Sequence, residues 1–365
     1  MKNNIVITGV LGYIGFNLLV TLLRLGYNVV GVDRNAENGQ VKRYFDTTGF
    51  QCCGKFSFFK ADLSIMAETQ DFITWCKQQK IKAHTIINLS ADKSIPESII
   101  NPTKTVGNNL LTTYSAITIS HALQCHSFIQ ASSITELDCR DHWNPYSWSK
   151  RLSDGILRTE SMFDNTYYKS VIITNPFGSL AGVESKGNAF EQAVRSAMFE
   201  NKTLSLSVDN HGVCDTVYKR NFISMFELIT IFLHTITQYE QSNIPQYVKG
   251  GVINPNNEWS NYSITKFADY CCSQKQFNIE YVNDKNLSTS YKSVTTFYPL
   301  DSNTAYEQFI NMLSDMPSIL FKPPVYFTAE QKKNLAELRH IFIKQKDTIH
   351  CQQKRFEILY KMLLL

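Results

Sequence analysis

At 365 residues the chain exceeds the usual single domain, and 43% hydrophobic content is ample for a buried core, so one large α/β unit with a second lobe is expected. The formal net charge of +4 is too small to argue for nucleic acid, and no run of about eighteen apolar residues marks a membrane span. Nine cysteines without a C-x-x-C, and an N-terminus lacking a signal-peptide pattern, read as reduced thiols in a cytoplasmic protein rather than a disulfide or zinc frame.

Asn4-Ile5-Val6-Ile7-Thr8 is a β-branched run that predicts a buried first strand. Phe16, Leu18, Leu19, Leu22, Leu23 and Leu25 follow at helical spacing and end on Gly26. Between strand and helix stand Gly9, Gly12 and Gly15, in a G-x-x-G-x-x-G pattern. Glycine at such a turn lets the backbone bend tightly and approach a ligand, and the N–H groups opening the helix can hold a pyrophosphate. A glycine-rich turn alone is a weak signal. The next run, residues 28–33, strengthens it: it reads as a second strand ending on Asp33, where a dinucleotide fold places its ribose ligand.

A polar loop with Lys42 and Arg43 is expected next. Residues 56–63 read as a third strand ending in Asp62-Leu63, followed by a helix through Phe72, Ile73, Trp75 and Cys76. Residues 85–91 give a fourth strand, 108–123 a long helix, 127–133 a fifth strand and 170–174 a sixth, with another helix opening near Tyr146. This alternation predicts a Rossmann-type, doubly wound parallel sheet with right-handed crossovers. Beyond about residue 179 the regularity fades. The organisation expected is an NAD-binding domain over residues 1–178, to which 215–255 return, a smaller substrate-binding lobe over 179–325, and a helical extension over 326–365. Residues 328–365 carry eight Lys or Arg against four Asp or Glu. Such a basic helix suits an acidic partner or membrane surface, or packs Leu335, Leu338, Phe342 and Ile349 on the body or a sister subunit, which is the preferred reading.

Ser133 ends the fifth strand, and Tyr146 and Lys150 follow it thirteen and seventeen residues later. Asn144-Pro145 marks a helix start, so Tyr146 and Lys150 lie one turn apart on one face. A free tyrosine ionises near pH 10, and a neighbouring ammonium together with an oxidised nicotinamide ring would favour its phenolate. Ser133 would hydrogen-bond the same substrate hydroxyl, which is general acid–base chemistry coupled to hydride transfer. The eight histidines are scattered and none pairs with cysteines at ligand spacing, so no metal site is expected.

Over roughly residues 4–260 the chain resembles the extended short-chain dehydrogenase/reductase family, the NAD-dependent epimerases and dehydratases, and within it the UDP-glucose 4-epimerases. The run T-G-V-L-G-Y-I-G is similar to the family's TGxxGYIG, Ala131-Ser132-Ser133-Ile134-Thr135 to its S-S-S-A-T, and Pro145-Tyr146-Ser147-Trp148-Ser149-Lys150 to its P-Y-x-x-S-K. The resemblance implies cofactor contacts from Gly9, Gly12, Tyr13, Ile14, Gly15, Asp33, Arg34, Asp62, Leu63, Leu89, Ser90, Ala91, Lys93, Asn108, Tyr146, Lys150 and Pro176. It implies catalysis by Ser133, Tyr146 and Lys150, and substrate contacts from Ser133, Asn175, Asn188 and Arg220. Arg34 beside Asp33 is ambiguous, because arginine there suits a 2′-phosphate; the repulsion between that phosphate and Asp33 favours NAD.

Related dehydratases place an acid directly after the catalytic serine or threonine. Here those positions are Ile134 and Thr135, with Glu136 one place further on, so 4-epimerisation of a UDP-sugar is preferred. A dehydratase or keto-reductase, and a non-catalytic NAD-binding regulator, stay open. Leu137-Asp138 in place of Tyr-Gly, a short loop before Asn188, and Asn221 after Arg220 depart from the family and bear on sugar and nucleotide specificity. A homodimer joined through the helices at 108–123 and at Tyr146 is a further implication.

Overall fold

The computed structural model describes residues 4–137, 144–179, 181, 189–200, 202–208, 219–220, 222–239, 247–250 and 262–283, with 333 and 337. The chain divides into two compact units, the first comprising Met1–Cys139, Trp143–Ile173 and Ile229–Gly251 and the second the remainder.

In the first unit β1 (Asn4–Thr8), α1 (Tyr13–Arg24), β2 (Asn28–Asp33), α2 (Gln40–Thr48), β3 (Phe56–Lys60), α3 (Met66–Gln78) and β4 (Ala83–Asn88) alternate. Then come α4 (Ile95–Ile100), α5 (Pro102–Ala122), β5 (Ser127–Ser133), a 3-10 turn (Ile134–Leu137), α6 (Pro145–Glu160) and β6 (Tyr167–Ile173). One seven-stranded sheet has the order β11-β6-β5-β4-β1-β2-β3, with β11 at Tyr247–Gly250 and every neighbouring pair parallel. The central strands are buried along their length, which is why they read as continuous apolar runs instead of alternating ones. Val6, Ile86, Phe128 and Tyr168 join Phe72, Ile117 and Leu157 of the covering helices in one core.

Two local features differ from expectation. Residues 40–48, read as a polar loop, form α2, because Val41, Tyr44 and Thr48 turn inward at helical spacing. The Glu37 carboxylate accepts from the Gly39 and Val41 amides at 2.9 and 2.7 Å and starts the helix. The long helix α5 begins at Pro102 rather than near residue 108, with proline in its first turn where no amide is needed. Ahead of it α4 is capped by Ser94, which accepts from the Glu97 amide at 3.2 Å.

The second unit contains β7 (Asn175–Phe177), α7 (Ala189–Glu200), β8 (Leu204–Val208), β9 (Lys219–Arg220), β10 (Phe222–Ser224), β12 (Tyr262–Ser263), α9 (Ile264–Gln274) and β13 (Ile279–Asn283). Helix α8 (Met225–Tyr239) begins in it and continues in the first unit. The second unit's strands form three two-stranded ladders, β7 with β10, β8 with β13 and, antiparallel, β9 with β12. Phe177, Val194, Met198, Leu206 and Phe267 form its core. The basic helix expected over 328–365 lies outside the described residues except for Lys333 and Glu337, which are helical.

Candidate active site

The glycine-rich turn closes against the exit of β4. Gly9 has φ +63°, a left-handed conformation that favours glycine, and its amide donates to the Val32 carbonyl at 2.9 Å. A Cβ on Gly15 would stand 2.3 Å from the Gly9 carbonyl oxygen and 2.9 Å from the Val10 backbone, so any side chain there would push α1 off the turn. The Thr8 hydroxyl accepts from the Leu89 and Ser90 amides at 3.2 Å and donates to Asn88, tying the β4 exit to the same corner. Helix α1 opens on Gly12 with no side-chain cap and no acid in its first turn, which leaves the positive end of its dipole uncompensated there.

Asp33 ends β2 with its carboxylate accepting from the Leu11 amide at 3.0 Å and from the Asn35 backbone and side-chain nitrogens at 2.9 and 3.1 Å. Arg34 pairs with Asp92 at 3.2 Å, which engages the guanidinium that a 2′-phosphate would require. Asp62 stabilises its own turn by accepting from the Ser64 amide and hydroxyl, while the Leu63 side chain belongs to the hydrophobic core. Lys93, its amine held below the ordinary lysine value by burial, lies 5.9 Å from the centre of the Tyr13 ring. A glycine cradle that a Cβ would fill, a helix N-terminus without an acid, and a strand-end aspartate together fit a dinucleotide.

Ser133, Tyr146 and Lys150, the candidate reacting groups, sit on β5 and α6. The Asn144 side chain caps α6 by accepting from the Ser147 amide at 2.9 Å, and Pro145 takes the first turn. Lys150 donates to the Ala131 carbonyl at 3.0 Å, pinning α6 to β5 just ahead of Ser133. Its Nζ lies 5.9 Å from the centre of the Tyr146 ring. The Ser133 hydroxyl hydrogen-bonds Thr135 Oγ1 at 2.9 Å. Burial pushes the Tyr146 phenol above its ordinary value; a hydrogen bond with Ser133 opposes this and the negative Glu136 adds to it. The Lys150 ammonium is engaged with that carbonyl, and burial brings its own pKa down to about 8 against the pull of Glu136. The further positive charge that the phenolate needs has to come with the ligand.

Two features were hidden from sequence reasoning. Of the pair Asn108-Asn109, Asn108 donates to the Asp92 carboxylate, whereas buried Asn109 donates to the Asp92 carbonyl at 3.0 Å and to Ser149 at 2.8 Å. Asn109 thus joins the loop after β4 to α6, and only the adjacency of two asparagines hinted at it. The second is Lys249 of β11, which sits 2.9 Å from Glu136 and 2.8 Å from Asp154. Asn175, Pro176 and Arg220 belong to the second unit, in β7 and β9, and Asn188 lies outside the described residues. Among the described residues no helix is long and apolar enough to cross a membrane. His121, Glu160 and Asp164 converge at the surface, where His121 and Tyr168 both hydrogen-bond Asp164.

Residues 5–250 match the family described as the NAD dependent epimerase/dehydratase family. The chain is 26% identical over 245 residues to a UDP-glucose 4-epimerase of Bacillus subtilis, covering 61% of this chain and 70% of that protein. It is 25% identical over 259 residues to one of Haemophilus influenzae, covering 65% and 74%. Among solved structures, a UDP-glucose 4-epimerase of Bifidobacterium longum in complex with NAD+ and UDP superposes with a TM-score of 0.67 at 18% identity, over 84% of this chain and 92% of that one.

Two outcomes follow from the geometry. Gly15→Ala should weaken NAD binding by at least about tenfold, read by calorimetric titration, since the turn must shift away from the geometry that holds a pyrophosphate. The folded pKa of Lys150, about 8, lies below the ordinary 10.5. Between those pH values the unfolded chain keeps a proton that the folded chain has released. This group therefore lowers stability fully below pH 8, and the loss is recovered as pH rises towards 10.5. Lys150→Met should flatten that rise in the urea midpoint of the cofactor-free protein.

Proposed function

This chain belongs to the NAD dependent epimerase/dehydratase family, and on that premise we propose that it is a nucleotide-sugar 4-epimerase acting on a UDP-sugar through a transient 4-keto sugar. The observation that supports this most directly is the gathering of Ser133, Tyr146 and Lys150 on β5 and α6, with Ile134 and Thr135 next to the serine. Neither of those residues can act as a carboxylate acid. Glu136, the group a dehydratase would need, is buried and paired with Lys249.

NAD, when bound, supplies the hydride acceptor and donor. The residues of this chain do the rest. Ser133 orients the C4 hydroxyl, and Tyr146 takes its proton and later returns it. Lys150 supports the tyrosine and the cofactor ribose, while Asp33 and the Gly9–Gly15 turn hold the dinucleotide. Asn175, Asn188 and Arg220 are assigned to the nucleotide half of the substrate. A firm hold on the nucleotide with a loose hold on the sugar lets the ketone present either face. The free cysteines among the described residues suit a cytoplasmic setting.

A homodimer through α5 and α6 is part of the proposal. Leu111 and Tyr114 on α5, and Trp148 and Leu152 on α6, are exposed at helical spacing. Gly107 and Gly155 continue these stripes with open space above them. Such a pair of apolar stripes on adjacent helices suits packing against its own copy.

Tyr146→Phe should leave NAD affinity within about threefold and lower turnover by about a hundredfold or more. The check is incubation with a panel of UDP-sugars, resolving products by mass and stereochemistry. Turnover by Tyr146→Phe at the wild-type rate would remove the tyrosine as base, and a 4-keto-6-deoxy product from the wild type would replace the epimerase reading with a dehydratase. Sedimentation should give a dimer at micromolar concentration and a monomer for Leu111→Asp/Leu152→Asp.

A further inference from the structure

A charged cluster of Glu136, Asp154 and Lys249 touches both elements that carry Ser133, Tyr146 and Lys150. Glu136 lies three residues after Ser133 in the 3-10 turn and is only 2% exposed. Asp154 lies one helical turn after Lys150 in α6. Lys249 reaches from β11 between them, its Nζ 2.9 Å from Glu136 Oε1 and 2.8 Å from Asp154 Oδ2. Two residues before it on the same face of β11, the Tyr247 hydroxyl donates to the other oxygen of Asp154. The Lys249–Glu136 contact is close but poorly aligned, so it counts as charge compensation rather than a directed hydrogen bond.

A carboxylate buried this deeply is costly unless a cation accompanies it. Burial pushes the Glu136 carboxyl above its ordinary range, nearby Asp154 pushes the same way, and Lys249 opposes both. Burial works against the charge of Lys249, but Glu136 and Asp154 together outweigh it and hold the ammonium above the ordinary lysine value. Among the described residues the groups around Tyr146 are Ser133 of β5, Glu136 of the turn and Lys150 of α6. Those around Glu136 are Ser132 of β5, Asp154, Tyr146 and Lys150 of α6, and Tyr247 and Lys249 of β11.

We propose that Lys249 is a positioning residue for the reacting pair: by bridging Glu136 of the catalytic turn to Asp154 of the catalytic helix, it holds Ser133 against Tyr146 and neutralises the carboxylate buried beside that tyrosine. The cluster therefore sets the ionisation of Tyr146 from a strand that contributes nothing to the reacting atoms. The mechanical part rests on the epimerase reading; the electrostatic part concerns the tyrosine alone and is tested without turnover.

The test is a spectroscopic titration of the full chain, following phenolate absorbance and subtracting the Tyr146→Phe version of each background to isolate one tyrosine. Glu136 adds to the rise of the Tyr146 phenol, so Glu136→Gln should lower the Tyr146 midpoint by about half a unit or more. Lys249→Met leaves Glu136 uncompensated and should raise it. Glu136→Gln/Lys249→Met should return it close to wild type, and Lys249→Arg should leave it there. In turnover, Lys249→Met should lower kcat several-fold with KM within about twofold, because the nucleotide contacts are untouched. If Lys249→Met does not fold, Glu136→Gln carries the test together with the double variant, in which Glu136 no longer bears a charge and Asp154 keeps the Tyr247 hydroxyl. Midpoints that do not move, or that move the same way in Glu136→Gln and Lys249→Met, would overturn the proposal. Opposed shifts in a protein inactive on every nucleotide sugar would uphold the electrostatic assignment and remove the epimerase reading instead.

Discussion

The first unit depends on one steric constraint, the contact between the start of α1 and the turn that precedes it. Gly15 sits so close to the Gly9 carbonyl that no Cβ can be accommodated. That approach sets α1 directly behind the end of β1 and aims its unprotected N-terminus past the strand. The same corner binds the β4 exit through the Thr8 hydroxyl, so the loops after β1 and β4 form one rigid structure. Backbone packing of this kind leaves little to adjust by side-chain movement, which suits a surface that must fit a pyrophosphate.

From that corner a polar thread runs to the chemistry. Asp92 takes the Arg34 guanidinium on one side and the Asn108 and Asn109 amides on the other. Asn109 passes the connection to Ser149 of α6, and Thr113 repeats it one turn later through Ser153. These bonds are buried between α5 and α6, where an unpaired polar group would be costly, so they specify the register of the two helices more tightly than apolar packing alone would. Lys150 then fixes α6 to β5 through the Ala131 carbonyl. Helix α6 is thus held from two sides before any ligand arrives, and Lys249 adds a third hold from β11.

Much of this was legible in the order of residues, because its signals are local. The β-branched runs, the glycine spacing, and Asn144-Pro145 before Tyr146 each act within a few residues of themselves. Misreadings arose where a distant or subtle partner decided. Residues 40–48 look polar, but Val41, Tyr44 and Thr48 find a buried surface and Glu37 caps the turn. Asn108 and Asn109 are indistinguishable in composition, and only the placement of α6 makes the second the connector. Tyr146 and Lys150 stand one turn apart as their spacing predicts, while the burial that raises the one and lowers the other, and the Ala131 carbonyl that takes the lysine, are not recorded in that spacing.

By itself, then, the sequence determined the alternating strands and helices and the glycine turn with its strand-end acid, because short-range sterics and periodicity carry those features. The Ser133, Tyr146 and Lys150 set was legible through its resemblance to a family motif. Tertiary structure alone decided the charge environment of the set. Glu136 reads as a spare acid one residue out of place, and becomes a buried carboxylate paired from β11 only when the parallel pairing of β11 with β6 brings Lys249 to the turn after Ser133. Coulomb interactions depend on distance in space and on burial, and the spacing of residues along the chain records neither.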